Sequence, residues 1–337
     1  MISVIVPAFN AERFIEDALN SVLRQTYSDY EILVVNDGSE DSTESVCRKI
    51  AARDQRIRFF SKKNSGVSDT RNCALSKMTG QYAFFLDADD LLPEYSFELL
   101  MAEMEKGDCD AVFGNHAYSY EGKLLPRIPR VASGIYSWEK LKGIFLDDGT
   151  LTGILFGSDC GVLYKSSVIK EHHMQFHCDM KVNEDGLFNL EFLRHSSQIR
   201  VMSDPYVYVY NQWKSQAVRN LERDYRFEGS ERIIESYLEQ NRLQEEFSHQ
   251  LVCRKVSVAF WNAVRVKDSK TNLIQACCYL KELFDTSEVQ EGLKCSNYSE
   301  MNKYKRGLCF LMRHQMCVSF YLLLHYIYPL AEKVIKR

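Results

Sequence analysis

The chain has 337 residues, 45% of them hydrophobic and 26% charged, with 16 glycines and 6 prolines. These proportions exclude a disordered, collagen-like or linker-dominated chain and leave room for one large α/β domain with an appendage, or for two domains. The formal net charge of −4 excludes a global basic field for nucleic acid, although residues 292–337 hold eight Lys/Arg against two acids.

In chain order, Ser3–Val6 is a β-branched run closed by Pro7, which predicts a buried strand ending in a loop. No basic segment precedes it, so it does not read as a secretory leader. Phe14, Ile15, Ala18, Leu19, Val22 and Leu23 recur at helical spacing and predict a helix over Ala11–Leu23. Strands are predicted at Glu31–Val35, Ile57–Phe60, Tyr82–Leu86 and Asp110–Phe113. Helices are predicted between them at Ser42–Ala52, Val67–Lys77 and Glu94–Met104. Near-continuous apolar strands alternating with helices predict a parallel sheet covered on both faces. From Gly114 to Tyr210 the pattern is irregular, with helices expected at Trp138–Phe145 and Glu184–Arg194. Beyond about Arg223 it is helical almost throughout. The eleven cysteines include no CxxC pair, which fits reduced thiols in a cytosolic setting better than a disulfide framework.

Ligands of an open parallel sheet bind beyond the carboxyl ends of its strands. Three polar clusters fall at such ends: Pro7-Ala8-Phe9-Asn10, Asn36-Asp37-Gly38-Ser39 and Asp87-Ala88-Asp89-Asp90. Each alone is ordinary turn chemistry; three together point to a site. Carboxylates at i and i+2 of a strand end can face one side, and hard divalent cations take a few carboxylates with phosphate or water. A metal–diphosphate ligand suits that cluster better than a closed structural metal site. Neither GxGxxG nor GxxxxGK[ST] occurs, so phosphate handling falls to the metal and to cations such as Arg71. A second acidic pair, Glu184-Asp185, stands at a predicted helix start, where acids either complement the helix dipole or serve as a general base. His172, His173, His177 and Cys178 match no standard zinc spacing. Tyr206, Tyr208, Tyr210 and Trp213 read either as an aromatic strand edge or as the lining of a sugar site.

The motifs Ser3–Asn10, Ile32–Ser39, Asn64–Asn72 and Phe84–Asp90 occur in the order seen in family 2 glycosyltransferases, which the chain resembles closely over residues 1–115 and more loosely to about Ser215. The resemblance implies a GT-A fold, that is, a Rossmann-like mixed sheet flanked by helices, with a C-terminal helical extension. It implies an inverting, metal-dependent hexosyltransferase that uses a nucleoside-diphosphate sugar, most naturally a UDP-sugar, with Mn²⁺ or Mg²⁺. Residues 1–220 would form the catalytic domain, with 1–115 on the nucleotide-sugar side and 116–220 on the acceptor side; 221–337 would be the helical region. By position, Pro7, Ala8, Phe9 and Asp37 would hold the uracil and ribose, with Asn10 among the donor-binding residues. Phe9 stands where tyrosine is usual, which keeps stacking but loses a hydroxyl. Asn64, Gly66 and Arg71 would lie along the nucleotide and diphosphate. Asp87-Ala88-Asp89 would be the DxD element, with Asp89 and Asp87 on the metal. Asp185 would be the base and Glu184 a helper or an acceptor contact.

The apolar run Met316–Leu324 is too short to span a bilayer. Flanked by Lys303, Lys305, Arg306 and by Lys333, Lys336, Arg337, it reads either as an interfacial helix within 306–337 on an anionic membrane or as a helix packed on the protein. The expected setting is the cytoplasm, peripheral to the inner face of the cytoplasmic membrane, with a glycan or lipid-linked glycan as acceptor and no nucleic acid partner. Two other readings are a nucleotidyltransferase, which also sets carboxylates and metal at sheet ends, and a non-catalytic nucleotide-sugar binding or assembly subunit.

Overall fold

In the computed structural model, which describes residues 1–120, 123–211, 227–266 and 272–327, two strongly apolar segments lie inside a sheet, each paired on both sides. On β1 (Ile2–Ala8) and β2 (Tyr30–Asn36), residues Val4, Ile5, Val6, Ile32, Leu33 and Val34 are all fully buried, as strands covered on both faces require. The chain forms two units, Met1–Lys140 with Gly157–Ser215, and Leu141–Phe156 with Gln216–Arg337. Trp213 and residues 328–337 of the segment expected at the membrane lie outside the described residues.

In the first unit, β1, β2, β3 (Ile57–Ser61) and β4 (Tyr82–Phe85) run parallel. The remaining strands are β5 (Ala111–Tyr120), β6 (Lys123–Pro126), β7 (Gly134–Tyr136), β8 (Val162–Lys165) and β9 (Ile199–Asn211). The order is β3-β2-β1-β4-β8-β5-β9-β7, with β6 on β5. The five strands read from the strand–helix alternation do run parallel, β5 having the direction of β4, and the sheet as a whole is the mixed one that the resemblance implies. β8 enters antiparallel between β4 and β5, and β9 lies parallel to β5. Alternation reports only that helices separate strands; it does not report which strand fills the gap beside β4. At the crowded β5–β9 crossing a Cβ on Gly114 would sit 2.3 Å from Val207, so glycine is required there.

The helices up to β8 are α1 (Ile15–Leu23), α2 (Thr43–Ala51), α3 (Val67–Leu75), α4 (Ser96–Gly107) and a short turn α5 (Trp138–Leu141), whose last residue opens the second unit's segment. Helix α1 starts four residues later than its apolar spacing predicts. The reason is that Ala11 N–H donates to Thr43 Oγ1 at 2.7 Å and Glu12 N–H to Asp41 at 3.1 Å. These backbone donors serve the loop after β2, and Asn10 adopts φ 48°, so the helix begins only once they are satisfied. Helices α6 (Ser166–Glu171) and α7 (Glu184–His195) follow β8. Phe84 and Phe97 meet edge-on at 5.2 Å in the core, which also takes Leu86, Leu100, Val112, Leu163 and Tyr208.

The second unit contains α8 (Phe227–Gln240), α9 (Gln244–Arg265), α10 (Leu273–Phe284), α11 (Ser287–Cys295), α12 (Lys303–Arg313) and α13 (Cys317–Leu322). Its core gathers Val256, Phe260, Leu280, Phe284, Leu308, Met312 and Phe320. Segment Leu141–Phe156 belongs to this unit. Gln250 accepts from Leu146 N–H at 2.9 Å and donates to the Lys142 carbonyl at 2.7 Å, while Lys305 Nζ donates to the Thr150 carbonyl at 2.9 Å. Arg254 holds Glu231 by two hydrogen bonds of 2.5 and 2.6 Å and reaches the Leu146 carbonyl at 3.3 Å. Capping explains two helix starts: Asn272 accepts from Gln275 N–H in a capping box, and Asn302 accepts from Lys305 N–H at 2.8 Å. Among the described residues no helix is long and apolar enough to cross a membrane.

Candidate active site

The loops after β1 and β2 are tied together by short polar contacts. Asn10 N–H donates to Ser39 Oγ at 2.9 Å, and Glu40 N–H donates to Asn10 Oδ1 at 2.9 Å. Asp37, nearly buried at the end of β2, accepts from Ser65 N–H at 3.0 Å and Gly66 N–H at 2.9 Å, and pairs with Lys62 at 2.5 Å. Its carboxylate thus shapes the Asn64-Ser65-Gly66 turn that starts α3. Gly66 adopts φ 97°, which L side chains rarely do, and nothing lies within 4 Å of where its Cβ would be. Pro7 and Ala8 end β1; Phe9 and Asn64 are exposed.

Arg71 brings together residues that are far apart in sequence. Only 3% exposed on α3, it reaches Asp185 at 2.7 Å and Glu184 at 3.4 Å through Nη1, Asp87 at 3.1 Å through Nη2, and Asp159 at 3.4 Å through Nε. Burial disfavours its charge, but the four carboxylates outweigh that and raise its pKa well above the ordinary value. The sequence reading set Arg71 along a diphosphate; here its guanidinium faces the acids of both motifs. Phe176 lies 5.1 Å from the guanidinium carbon and stacks on Phe188 at 4.3 Å. Asn72 exchanges hydrogen bonds of 2.8 Å with the backbone of Phe176. The histidine-rich stretch therefore braces Arg71, and His172 stacks on His195 at 3.7 Å.

Burial pushes the Asp185 carboxyl well up, and Asp159, Glu184 and Asp87 push it further against the opposing pull of Arg71. Asp159, 1% exposed, is raised in the same way. Its Oδ2 has only the Arg71 Nε ion pair and no hydrogen bond. Sequence reading missed Asp159 because a lone acid in an irregular stretch, just ahead of a four-residue strand, carries no periodic signal.

The Asp87–Asp90 loop is held by β9. Asp87 N–H donates to Tyr208 Oη at 3.2 Å, Tyr208 O–H donates to Asp90 at 2.7 Å, and Asn211 donates to Asp90 and to the Asp89 carbonyl, each at 2.8 Å. Tyr208 is fully buried, so it is a structural strut of this loop. Burial and the neighbouring Asp87 raise Asp89 to about 6. No cation lies within ion-pair distance of Asp89 among the described residues. Two mutually repelling carboxylates, one without a counter-charge, fit a hard divalent cation, whose oxygen preference they match. Ligand atoms of Asp87, Asp90 and Cys160 also lie within 4.8 Å of one another. Asp90, however, is engaged by Tyr208 and Asn211, and burial keeps the Cys160 thiol protonated, so this second set suits such an ion less well.

Residues 3–172 match the profile described as glycosyl transferase family 2. The chain is 31% identical over 218 residues to the uncharacterized glycosyltransferase EpsJ of Bacillus subtilis, across 63% of this chain and 61% of that protein. It is 31% identical over 219 residues to the poly(ribitol-phosphate) beta-N-acetylglucosaminyltransferase TarP of Staphylococcus aureus, across 64% of each. These matches span less than two thirds of either relative. The crystal structure of S. aureus TarS 1-349 superposes with a TM-score of 0.63 at 19% identity, over 98% of this chain and 91% of that one. The chain therefore has the GT-A fold and belongs to glycosyl transferase family 2.

Proposed function

We propose that the chain is an inverting glycosyltransferase that moves a sugar from a nucleoside-diphosphate donor, a UDP-sugar, to a hydroxyl of a growing cell-surface glycan. The observation that carries this reading is the meeting of Asp87 with Glu184 and Asp185 on one buried guanidinium, at 3.1, 3.4 and 2.7 Å. It joins an acidic loop suited to a diphosphate with an acidic pair suited to an acceptor. The matched relative TarP bears the name of a transferase acting on poly(ribitol-phosphate), and TarS, of like fold, has been crystallised with UDP-GlcNAc and with UDP. The first supports a polymer as acceptor and the second a UDP-sugar as donor.

Asp87 and Asp89 would hold Mn²⁺ or Mg²⁺, which when bound supplies the charge that lets the diphosphate depart. Pro7, Ala8, Phe9, Asn10 and Asp37 flank the nucleoside, and Asn64 and the open space over Gly66 lie along the diphosphate. Asp185 takes the proton of the acceptor hydroxyl as that oxygen attacks the anomeric carbon from the face opposite the leaving group, and the configuration inverts. Burial and its acidic neighbours raise the proton affinity of Asp185, which makes it a stronger base once ionised. Glu184 orients the acceptor. Arg71 fixes the separation between the base and Asp87. The acceptor side of this reading sets the chain at the inner face of the cytoplasmic membrane.

The test is donor hydrolysis by purified protein with UDP-, GDP- and dTDP-sugars and Mn²⁺ or Mg²⁺. Metal-dependent release of one nucleoside diphosphate is expected, and Asp185→Asn should abolish transfer while sparing donor binding. Pyrophosphate release from a nucleoside triphosphate would instead make the chain a nucleotidyltransferase. Binding without turnover across a broad acceptor panel would make it a non-catalytic subunit.

A further inference from the structure

We propose that the outer face of α12 docks the chain on an anionic lipid surface. Lys303, Arg306, Phe310 and Arg313 stand at i, i+3, i+7 and i+10 and so share one face of that helix. The opposite face, Leu308, Cys309 and Met312, is buried in the core of the second unit. Phe310 is 56% exposed between the three cations, and α12 contains no acidic residue. None of Lys303, Arg306 and Arg313 has a carboxylate within ion-pair distance among the described residues. Lys305 differs: it turns inward to the Thr150 carbonyl and adds nothing to this face. After α12, Met316 and then Val318 and Leu322 of α13 are exposed in turn, at 42%, 51% and 43%.

Charge decides the occupant. Two copies of this face meeting about a two-fold axis would bring three cations against three cations. A headgroup layer of negative lipids instead neutralises them, while Phe310 and the apolar residues after it enter the acyl boundary. The contact rests on the reading above only in that it would hold the chain at a surface that carries a lipid-borne acceptor. Lipid binding and donor turnover are separate measurements, so either can fail alone.

The experiment is cosedimentation of the full chain with phosphatidylcholine vesicles, with and without phosphatidylglycerol. Each basic residue near an anionic surface contributes about fivefold in partitioning, about 1 kcal/mol. Arg306→Gln combined with Arg313→Gln is therefore expected to weaken binding to the anionic vesicles about 25-fold. Phe310→Ser should weaken it as well, and binding by the unaltered chain should fall as salt rises. Circular dichroism checks that each variant is folded, and their donor hydrolysis in solution should match that of the unaltered chain. Equal binding to neutral and anionic vesicles would overturn the proposal, as would an undiminished partition of the folded double variant. Concentration-dependent self-association that Phe310→Ser removes would overturn it in favour of a second copy.

Discussion

Replacing Arg71 by glutamine removes a cation that Asp87, Asp159, Glu184 and Asp185 share. Breaking a buried pair by deleting one partner costs about 3–5 kcal/mol, because a charge is left uncompensated. Asp185 at 2.7 Å and Asp159, 1% exposed, make the upper part of that range apply. The variant relieves the charge by holding protons on Asp185 and Asp159, whose folded-state pKa values, already raised by burial, rise further above the unfolded ones. Stability is then intact below the unfolded carboxyl range and is lost as pH rises, by up to about 1.4 kcal/mol per pH unit for each proton retained. The deficit of Arg71→Gln relative to the unaltered chain should therefore be large at pH 8 and small at pH 5. Because the chain has two units, the readout should be hydrogen exchange of the β1 and β4 amides across a urea series, which reports the first unit alone. An equal deficit at both pH values would refute the shared-cation account and leave Arg71 as a packing residue.

Three further outcomes follow from individual contacts. Tyr208→Phe removes the hydroxyl that accepts from Asp87 N–H and donates to buried Asp90; thermal unfolding should show a loss of about 1–3 kcal/mol, and donor hydrolysis should need more divalent ion, whereas an unchanged metal requirement would separate Tyr208 from the loop's function. Asp159→Asn removes a charge that raises the Asp185 carboxyl, so the acid limb of the transfer rate should move to lower pH with kcat largely kept; a limb that stays in place would exclude that coupling. Glu31 is buried, which alone would raise its carboxyl, but hydrogen bonds from Ser3, Thr79 and Arg58 prevail and bring it to about 2 from the ordinary 4.5. Its contribution, about 3 kcal/mol from that difference, is complete above pH 4.5 and disappears as pH falls toward 2. Glu31→Gln should accordingly be less stable at neutral pH and flatter on the acid side, which an acid-unfolding titration reads.

Much of the site's chemistry was legible along the chain because it sits where apolar runs stop. A run such as Ile32–Val35 or Phe84–Leu86 reads as a buried strand, and the polar residues that end it lie at the sheet's edge; Asp37, Asp87 and Asp89 are candidates on that ground. The ordered motifs then linked Asp185 to them by resemblance. Less legible was anything decided by a partner distant in sequence. The start of α1 depends on Thr43 and Asp41, the inward turn of Lys305 on the Thr150 carbonyl, and the part Asp159 takes on Arg71.

Local pattern along the chain sufficed for β1 to β5, for the helices between them and for the polar residues at their ends, because apolar period and turn chemistry are local properties; β6 to β9 and α6 lie in the stretch that carries no such period. Only the tertiary structure decided that β8 enters the sheet antiparallel beside β4, that segment Leu141–Phe156 joins the helical unit, and that Arg71 gathers four acids. Those outcomes turn on which buried polar groups find partners across long separations, a balance of desolvation and pairing that no local pattern records.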